Sequence, residues 1–297
     1  MFRPRHVLAA TDFSEPSRVA MRMAGRLAAH YKAELHILHA EDPLLCAAAR
    51  MNHVDLAREA REELTEFLRG CTLPSTLVTH MHVMGGPAAE VICDIALREH
   101  ADVIVVGARG LSGFERVVFG STAEGVLRRS EVPVLLVPDT WLPPSPAGDD
   151  LSGAGPVVVG VDFTCGSYQA VGAGFALART LATSLELLHV IPELPAIERW
   201  RAHATQATAA QREHAYGELT RLARAIGEGI PVSTRVETGA VAETIADVTV
   251  HESRHAILVL GRRLPRMCGD APGAIASRVA SLAHVPTLMF MERETAN

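Results

Sequence analysis

The sequence predicts two tandem doubly wound α/β domains, each built on a five-stranded parallel sheet. Three observations lead there: an internal repeat spread over the 297 residues, a proline-rich break between the copies, and short β-branched runs that alternate with longer amphipathic segments. Domains usually run to about 100–200 residues, so this length carries two. The chain is 48% hydrophobic and 21% charged but only 4% aromatic. Its cores must therefore be built from Val, Leu, Ile and Ala, the mix that suits parallel sheets covered by helices.

The repeat shows as five ordered pairs. His6–Ser14 reads HVLAATDFS and Val157–Thr164 reads VVVGVDFT, which sets Asp12 and Asp162 150 residues apart. Leu38–His39 pairs with Leu188–His189, and Gly86-x-x-x-Glu90 with Gly239-x-x-x-Glu243. VIVVG, ending at Gly107, pairs with ILVLG, ending at Gly261. EVPVLLV (Glu131–Val137) pairs with HVPTLMF (His284–Phe290). Gene duplication is the simplest account. Between the copies, Pro138–Pro156 holds five prolines and three glycines in 19 residues and can support neither a helix nor a central strand. The expected organisation is a first domain over 1–138, a linker over 139–156 and a second domain over 157–297.

In the first copy, strands are expected at 6–11, 34–40, 76–83, 102–107 and 133–137, with helices at 16–30, 53–69, 87–99 and 121–130. The helix over 53–69 gathers Ala57, Leu64, Phe67 and Leu68 on one face, at helical spacing. The second copy repeats the strands at 157–161, 185–190, 231–237, 256–260 and 286–291. Strand–helix alternation implies a parallel sheet with right-handed crossovers.

In such sheets ligands bind beyond the carboxyl ends of the strands, where strand order reverses. In the first copy this points to Thr11–Asp12–Phe13, Ala40–Glu41 and the loop from Gly107. That loop reads GARGLSGFERVVFGST, with the skeleton Gly107-x2-Gly110-x9-Gly120-Ser121-Thr122 and Arg109 inside it. Gly107 and Gly110 let the backbone pass close to a ligand. Gly120-Ser121-Thr122 offers free N–H groups and two hydroxyls at a helix N-terminus, which attracts anions. The chemistry is phosphate binding, without the G-K-[ST] of a P-loop or the G-x-G-x-x-G of a dinucleotide turn.

At these residues the chain resembles the universal stress protein family. The resemblance covers nearly all of both halves and is most specific at the nucleotide signature G-x2-G-x9-G-(S/T), met at Gly107, Gly110, Gly120 and Ser121. It implies a fold of the adenine nucleotide alpha hydrolase-like type, an ATP ligand, and a regulatory or signalling role in stress response. It also implies that Ala10–Asp12 and Ala40 hold adenine and ribose, while Gly107, Arg109, Gly110, Gly120, Ser121 and Thr122 hold ribose and phosphates. In the family, edge strands at the domain end pair across an interface. Here that would join 133–137 to 286–291 as an intramolecular pseudo-dimer, with a homodimer of tandem chains as a further state.

The second copy departs from the signature. Aligned on Val285–Pro286, Gly273 stands opposite Gly120, but Ala274 replaces Ser121, Ile275 replaces Thr122 and Leu264 takes the place of Gly110. Weak or no ATP binding by the same mode is expected there. Arg262, Arg263 and Arg266 read as surface arginines.

Other residues have plainer readings. Asp12 fits both a turn or helix cap and a ligand contact, since D-F-S-E-P is good N-terminal chemistry. Asp162 reads as structural. His80 and His82 share a strand face and could share a metal, but no third ligand is evident, so a solvated or packed pair is expected. His39 and His189 suit local hydrogen bonding at strand ends. Met21, Met23, Met81 and Met84 read as core or interface fillers.

The net charge of −6 gives no reason to expect a nucleic-acid partner. The five cysteines have no C-x-x-C spacing and read as incidental thiols of a reducing compartment. No uncharged apolar stretch reaches membrane-spanning length, and the N-terminus lacks a signal-peptide core. A cytoplasmic protein with an adenine nucleotide and an unnamed protein partner is expected. A slow ATPase in which Asp12 and Mg²⁺ position the phosphates, or a non-catalytic scaffold, are the alternatives.

Overall fold

A computed structural model describes residues 2–108, 120–145, 148–193, 201–262 and 274–291. The first half runs β1 (His6–Thr11), α1 (Glu15–Tyr31), β2 (Glu34–Glu41), α2 (Pro43–Met51), α3 (Leu56–Arg69), β3 (Thr79–Gly85), α4 (Ala88–Arg98), β4 (Val103–Gly107), α5 (Ser121–Arg129) and β5 (Val134–Val137). The second half runs β6 (Val157–Gly160), α6 (Cys165–Thr180), β7 (Leu185–Pro192), α7 (Arg201–Ile226), β8 (Val232–Gly239), α8 (Val241–Glu252), β9 (Ile257–Arg262), α9 (Ala274–Leu282) and β10 (Thr287–Met291).

All strands join one sheet in the order β3-β2-β1-β4-β5-β10-β9-β6-β7-β8. Each half is parallel with strand order 3-2-1-4-5, so order reverses between its first and fourth strands. The halves meet where β5 and β10 pair antiparallel, with Leu135 opposite Leu288. This is the edge-strand joining expected for 133–137 and 286–291.

The strands are buried on both faces, as their near-continuous apolar sequences require. One face (Val7, Ala9, Val105, Leu135) packs under α1 and α3, the other (Leu8, Ile104, Val106, Leu136) under α4 and α5, and both apolar layers run on into the second half. Phe2 crosses the seam, its ring 5.6 Å from Phe290 and 6.0 Å from Tyr31, edge-on to both.

Four expectations need correction. The helix expected over 53–69 starts only at Leu56, capped by Asp55, and a further helix not expected from the sequence, α2, precedes it; Asn52 and His53, the latter at φ 55°, separate the two. Within α3, Ala57 is exposed and Ala60 takes its place beside Leu64 and Phe67. The strand expected at 76–83 starts at Thr79 and ends at Gly85. It is the outer edge of the sheet, so Met81 and Met84 face solvent at 52% and 38% exposure, whereas Met21 and Met23 are buried as expected.

Arg262 is the fourth. Rather than lying on the surface it is 6% exposed and reaches out of the second half to the C-terminus of α5. There it donates from one Nη to the carbonyl of Leu127 and from the other, at 2.5 Å, to that of Ser130. A helix leaves its last carbonyls unpaired, and a buried cation answers both the missing donors and the dipole. Burial lowers this guanidinium to about 10. Arg263 and Arg266 lie outside the described residues.

The linker holds no helix or strand among its described residues, yet it is fastened down. Trp141 and Leu151 are buried, and Arg26 of α1 donates to the carbonyls of Ser145 (2.9 Å) and Asp150 (3.1 Å).

Arg262→Ala strips donors from two buried carbonyls, which should lower stability by about 1–3 kcal/mol. The urea midpoint of the full chain measures it.

Candidate functional site

β1 ends in a turn that the sequence repeats. Asp12 Oδ1 accepts from the Ser14 amide at 3.1 Å and the Ser14 hydroxyl at 2.5 Å. Ser14 in turn caps α1, accepting from the Ser17 amide at 3.3 Å, with Pro16 in the first turn. Phe13 bridges them with φ 63°. The second copy builds the same turn: Asp162 accepts from Thr164, Thr164 caps α6, and Phe163 has φ 61°. A device present in both halves is part of the fold, so Asp12 shapes the turn while Ser14 is the cap itself.

The histidine within the second strand of each copy does the expected local work. His39 Nδ1 donates to the Thr11 carbonyl at 2.9 Å, and His189 Nδ1 to that of Val161 at 2.7 Å. The His39 ring also stacks on Phe13, centroids 4.2 Å apart. The end of β1 is thus tied to β2.

At the carboxyl ends of β1 and β4 the described residues enclose a cavity of about 290 Å³. Eight of the ten sequence-predicted site residues line it: Ala10, Thr11 and Asp12 from β1 and its turn, Ala40 from β2, Gly107 from β4, and Gly120, Ser121 and Thr122 at the start of α5. Arg109 and Gly110 lie outside the described residues. The sequence did not single out Ser17, Ala88, Ile92, Val106 or Ala123, which also line it. Ala88 and Ile92 come from the helix after Gly86, and only topology brings that helix over the switch point.

The cavity divides by chemistry. Its apolar lining, a slot of mostly small side chains, is Ala10, Ala40, Ala88, Ile92 and Val106. Its polar lining is Asp12, the buried and mutually bonded Thr11 and Ser17, and the exposed Ser121 and Thr122. The Gly120 amide donates to the Ala108 carbonyl at 3.0 Å, and the Ala108 amide to that of Val137 at 2.9 Å. These bonds bring the two ends of the glycine-rich segment together beside the slot. Gly120 is the N-cap of α5 and supplies no side-chain cap, so first-turn amides face the cavity unclaimed by a cap. A volume near 300 Å³ stands at the lower end of small-molecule sites, about 300–1,000 Å³.

Among the described residues of the second half, the corresponding position is narrower. Gly160 and Leu260 stand opposite each other where the first half has Ala10 and Val106, and a Cβ on Gly160 would lie 2.5 Å from Leu260 Cδ2. Val241 stands in the position of Ala88. The first turn of α6 also lies directly on the end of β9, since a Cβ on Gly261 would meet the Gly166 backbone at 2.5 Å. The slot is narrowed, and the hydroxyls are lost as well. Gly273 and Leu264 are outside the described residues.

Fold and site together define a class: a duplicated doubly wound α/β protein with a switch-point cavity in its first half, lined in part by the start of a helix. Comparison with known proteins makes this specific. The profile of the Universal stress protein family matches residues 4–138 and again 154–290. The chain belongs to that family. A universal stress protein of Mycolicibacterium smegmatis is 26% identical, with 97% of each chain covered. Universal stress protein Rv2623 of Mycobacterium tuberculosis is 27% identical, again with 97% of each covered. The crystal structure of a universal stress protein from Archaeoglobus fulgidus superposes with a TM-score of 0.63 at 19% identity, covering 98% of this chain and all of that one.

Asp12→Ala and Asp162→Ala should each cost about 0.5–2 kcal/mol, the range for losing a capping oxygen, while Asp12→Asn keeps the acceptor and stays near wild type. Urea denaturation of the three variants checks this; a cost confined to one copy would refute the shared structural role.

Proposed function

We propose that the first half binds one adenine nucleotide, ATP foremost, and that the second half does not bind it in the same way. The observation that carries this reading is the joining, in one cavity, of an apolar slot at the strand-order reversal with an uncapped helix N-terminus bearing Ser121 and Thr122. The slot accepts the flat face of a base. The first-turn amides and two hydroxyls answer a polyanion, helped by the dipole of α5. Thr11, Asp12 and Ser17 offer the polar lining that a ribose needs. Arg109 and Gly110 belong to the segment between Ala108 and Gly120, outside the described residues.

Asp12 is the one titratable side chain among the residues lining the cavity, and Ser14 already engages it twice. That favours binding and signalling over turnover. When Mg²⁺ accompanies the nucleotide, it neutralises phosphate charge, and Asp12 is the carboxylate nearest to hand for it. The role fits a regulatory member of a stress-response family, with occupancy read by a protein partner.

Isothermal titration of the full chain with ATP should give one site per chain. Ser121→Ala/Thr122→Ala removes the two hydroxyls that the second half also lacks and should weaken binding about 10-fold or more, because hydrogen bonds to charged groups contribute about 1.5–3 kcal/mol each. Val106→Leu, which copies Leu260, should fill the slot and weaken binding with the fold intact. Failure of the wild-type chain to bind any adenine nucleotide overturns the proposal.

A further inference from the structure

A second set of chemistry-bearing residues lies at the opposite end of the same strands. His6 and Glu34 open β1 and β2 and stand in register. His36 on β2 stands opposite His80 on β3, and Leu38 opposite His82. These residues share the sheet face that α4 covers, and Glu99 closes the C-terminus of α4 above them. The ligand group the structure offers is not the His80–His82 pair considered from the sequence but His82 with His36 and Glu99. The neighbours come from β1, β2 and α4, up to 76 residues away in sequence, where no spacing rule reaches.

We propose that His36 Nδ1, His82 Nε2 and the Glu99 carboxylate form a binding site for a divalent transition metal of the zinc type. The two nitrogens lie 3.3 Å apart. Two donors on a tetrahedral zinc ion, each at about 2.0–2.1 Å, lie about 3.4 Å from one another. All three ligand atoms fall within 4.8 Å of each other, so a small rotation of the Glu99 side chain closes the set. Two imidazoles and a carboxylate are a common zinc donor set and leave a fourth position for water or a small ligand.

The surroundings suit a ligand role. His36 is 5% exposed, and its other nitrogen, Nε2, lies 3.3 Å from His6 Nδ1. An acceptor behind a ligating histidine fixes its tautomer and orients its ring. The His80 ring stacks on His36 with centroids 4.8 Å apart, and His80 Nε2 is held at 2.9 Å by Glu34. Burial lowers the proton affinity of both His36 and His82, which favours the neutral imidazole that binds metal. A second set, His6, Glu34 and His36, shares His36, so one ion takes one set. Glu34 is already engaged with His80, whereas Glu99 touches only the neighbouring Arg98 among the contacts described, which favours the set with His82.

Cobalt(II) titration of the metal-stripped full chain tests the proposal, followed by displacement with zinc(II). One equivalent should bind with visible d–d absorption and without a thiolate charge-transfer band. His82→Ala and Glu99→Gln should each weaken binding at least 10-fold, and His6→Ala, behind the ligand, about 10–100-fold. His53→Ala, on an exposed turn, should change nothing. Glu99 ends a helix at the surface, so its variant stays informative should His82→Ala fold poorly. Absence of saturable binding overturns the site and leaves a packed imidazole stack. Binding that survives in the His82→Ala/Glu99→Gln double variant, or that vanishes on thiol alkylation, places the metal elsewhere and overturns it equally. ATP binding, at the far end of the sheet, should stay unchanged throughout.

Discussion

The antiparallel pairing of β5 with β10 is the contact on which the rest depends. A five-stranded parallel sheet ends in an open edge, and an open apolar edge invites pairing with other chains. Val134–Val137 and Thr287–Met291 are both almost wholly apolar, so neither makes a tolerable free edge. Pairing them removes both hazards at once and fuses the two apolar layers. The edges that remain, β3 and β8, are of another kind: they carry His80, His82, Arg235 and Glu237. With the sheets fused, the linker has only to follow the surface, and it does so under the grip of Arg26.

The two halves show what duplication keeps and what it lets go. The aspartate turn, the hydroxyl cap and the histidine bond to the end of the first strand persist in both. These hold the strand-to-helix corner together and are needed whether or not anything binds. The features confined to the first half are the small residues of the slot and the hydroxyls at the start of α5. Leu260 and Val241 fill what Val106 and Ala88 leave open. The larger side chains gain apolar contact there.

Much of the architecture was legible because it rests on local periodicity and on repetition. Strand runs such as VIVVG declare themselves, and the order of five matched segments implies that the fold is built twice. The glycine skeleton from Gly107 to Thr122 pointed to the cavity, since Gly107, Gly120, Ser121 and Thr122 all line it. What was hidden depends on contacts distant in sequence. The break between α2 and α3 lies in a segment without glycine or proline, where His53 adopts a left-handed conformation. Arg262 looked like one of three loose arginines, and nothing in its neighbours announces a partner 135 residues back in the chain. Ala88 and Ile92 sit on a helix whose place over the switch point follows from sheet order alone. The histidine cluster was half seen, as a pair on one strand, for the same reason.

Arg262 also bears on the history of the molecule. In a lone ancestral domain, the last carbonyls of the fifth helix had to be satisfied by solvent or by a second chain. Here the duplicate provides that from within, by a residue that stands where the first half has Ala108. Once the first half came to rely on a cation from its neighbour, going back to a single domain would have exposed both a bare helix end and a bare strand. The second copy is thus held in place by what it supplies to the first, a cation for a helix end and a partner for a strand, whatever happens at its own switch point. Duplication of this kind works as a ratchet.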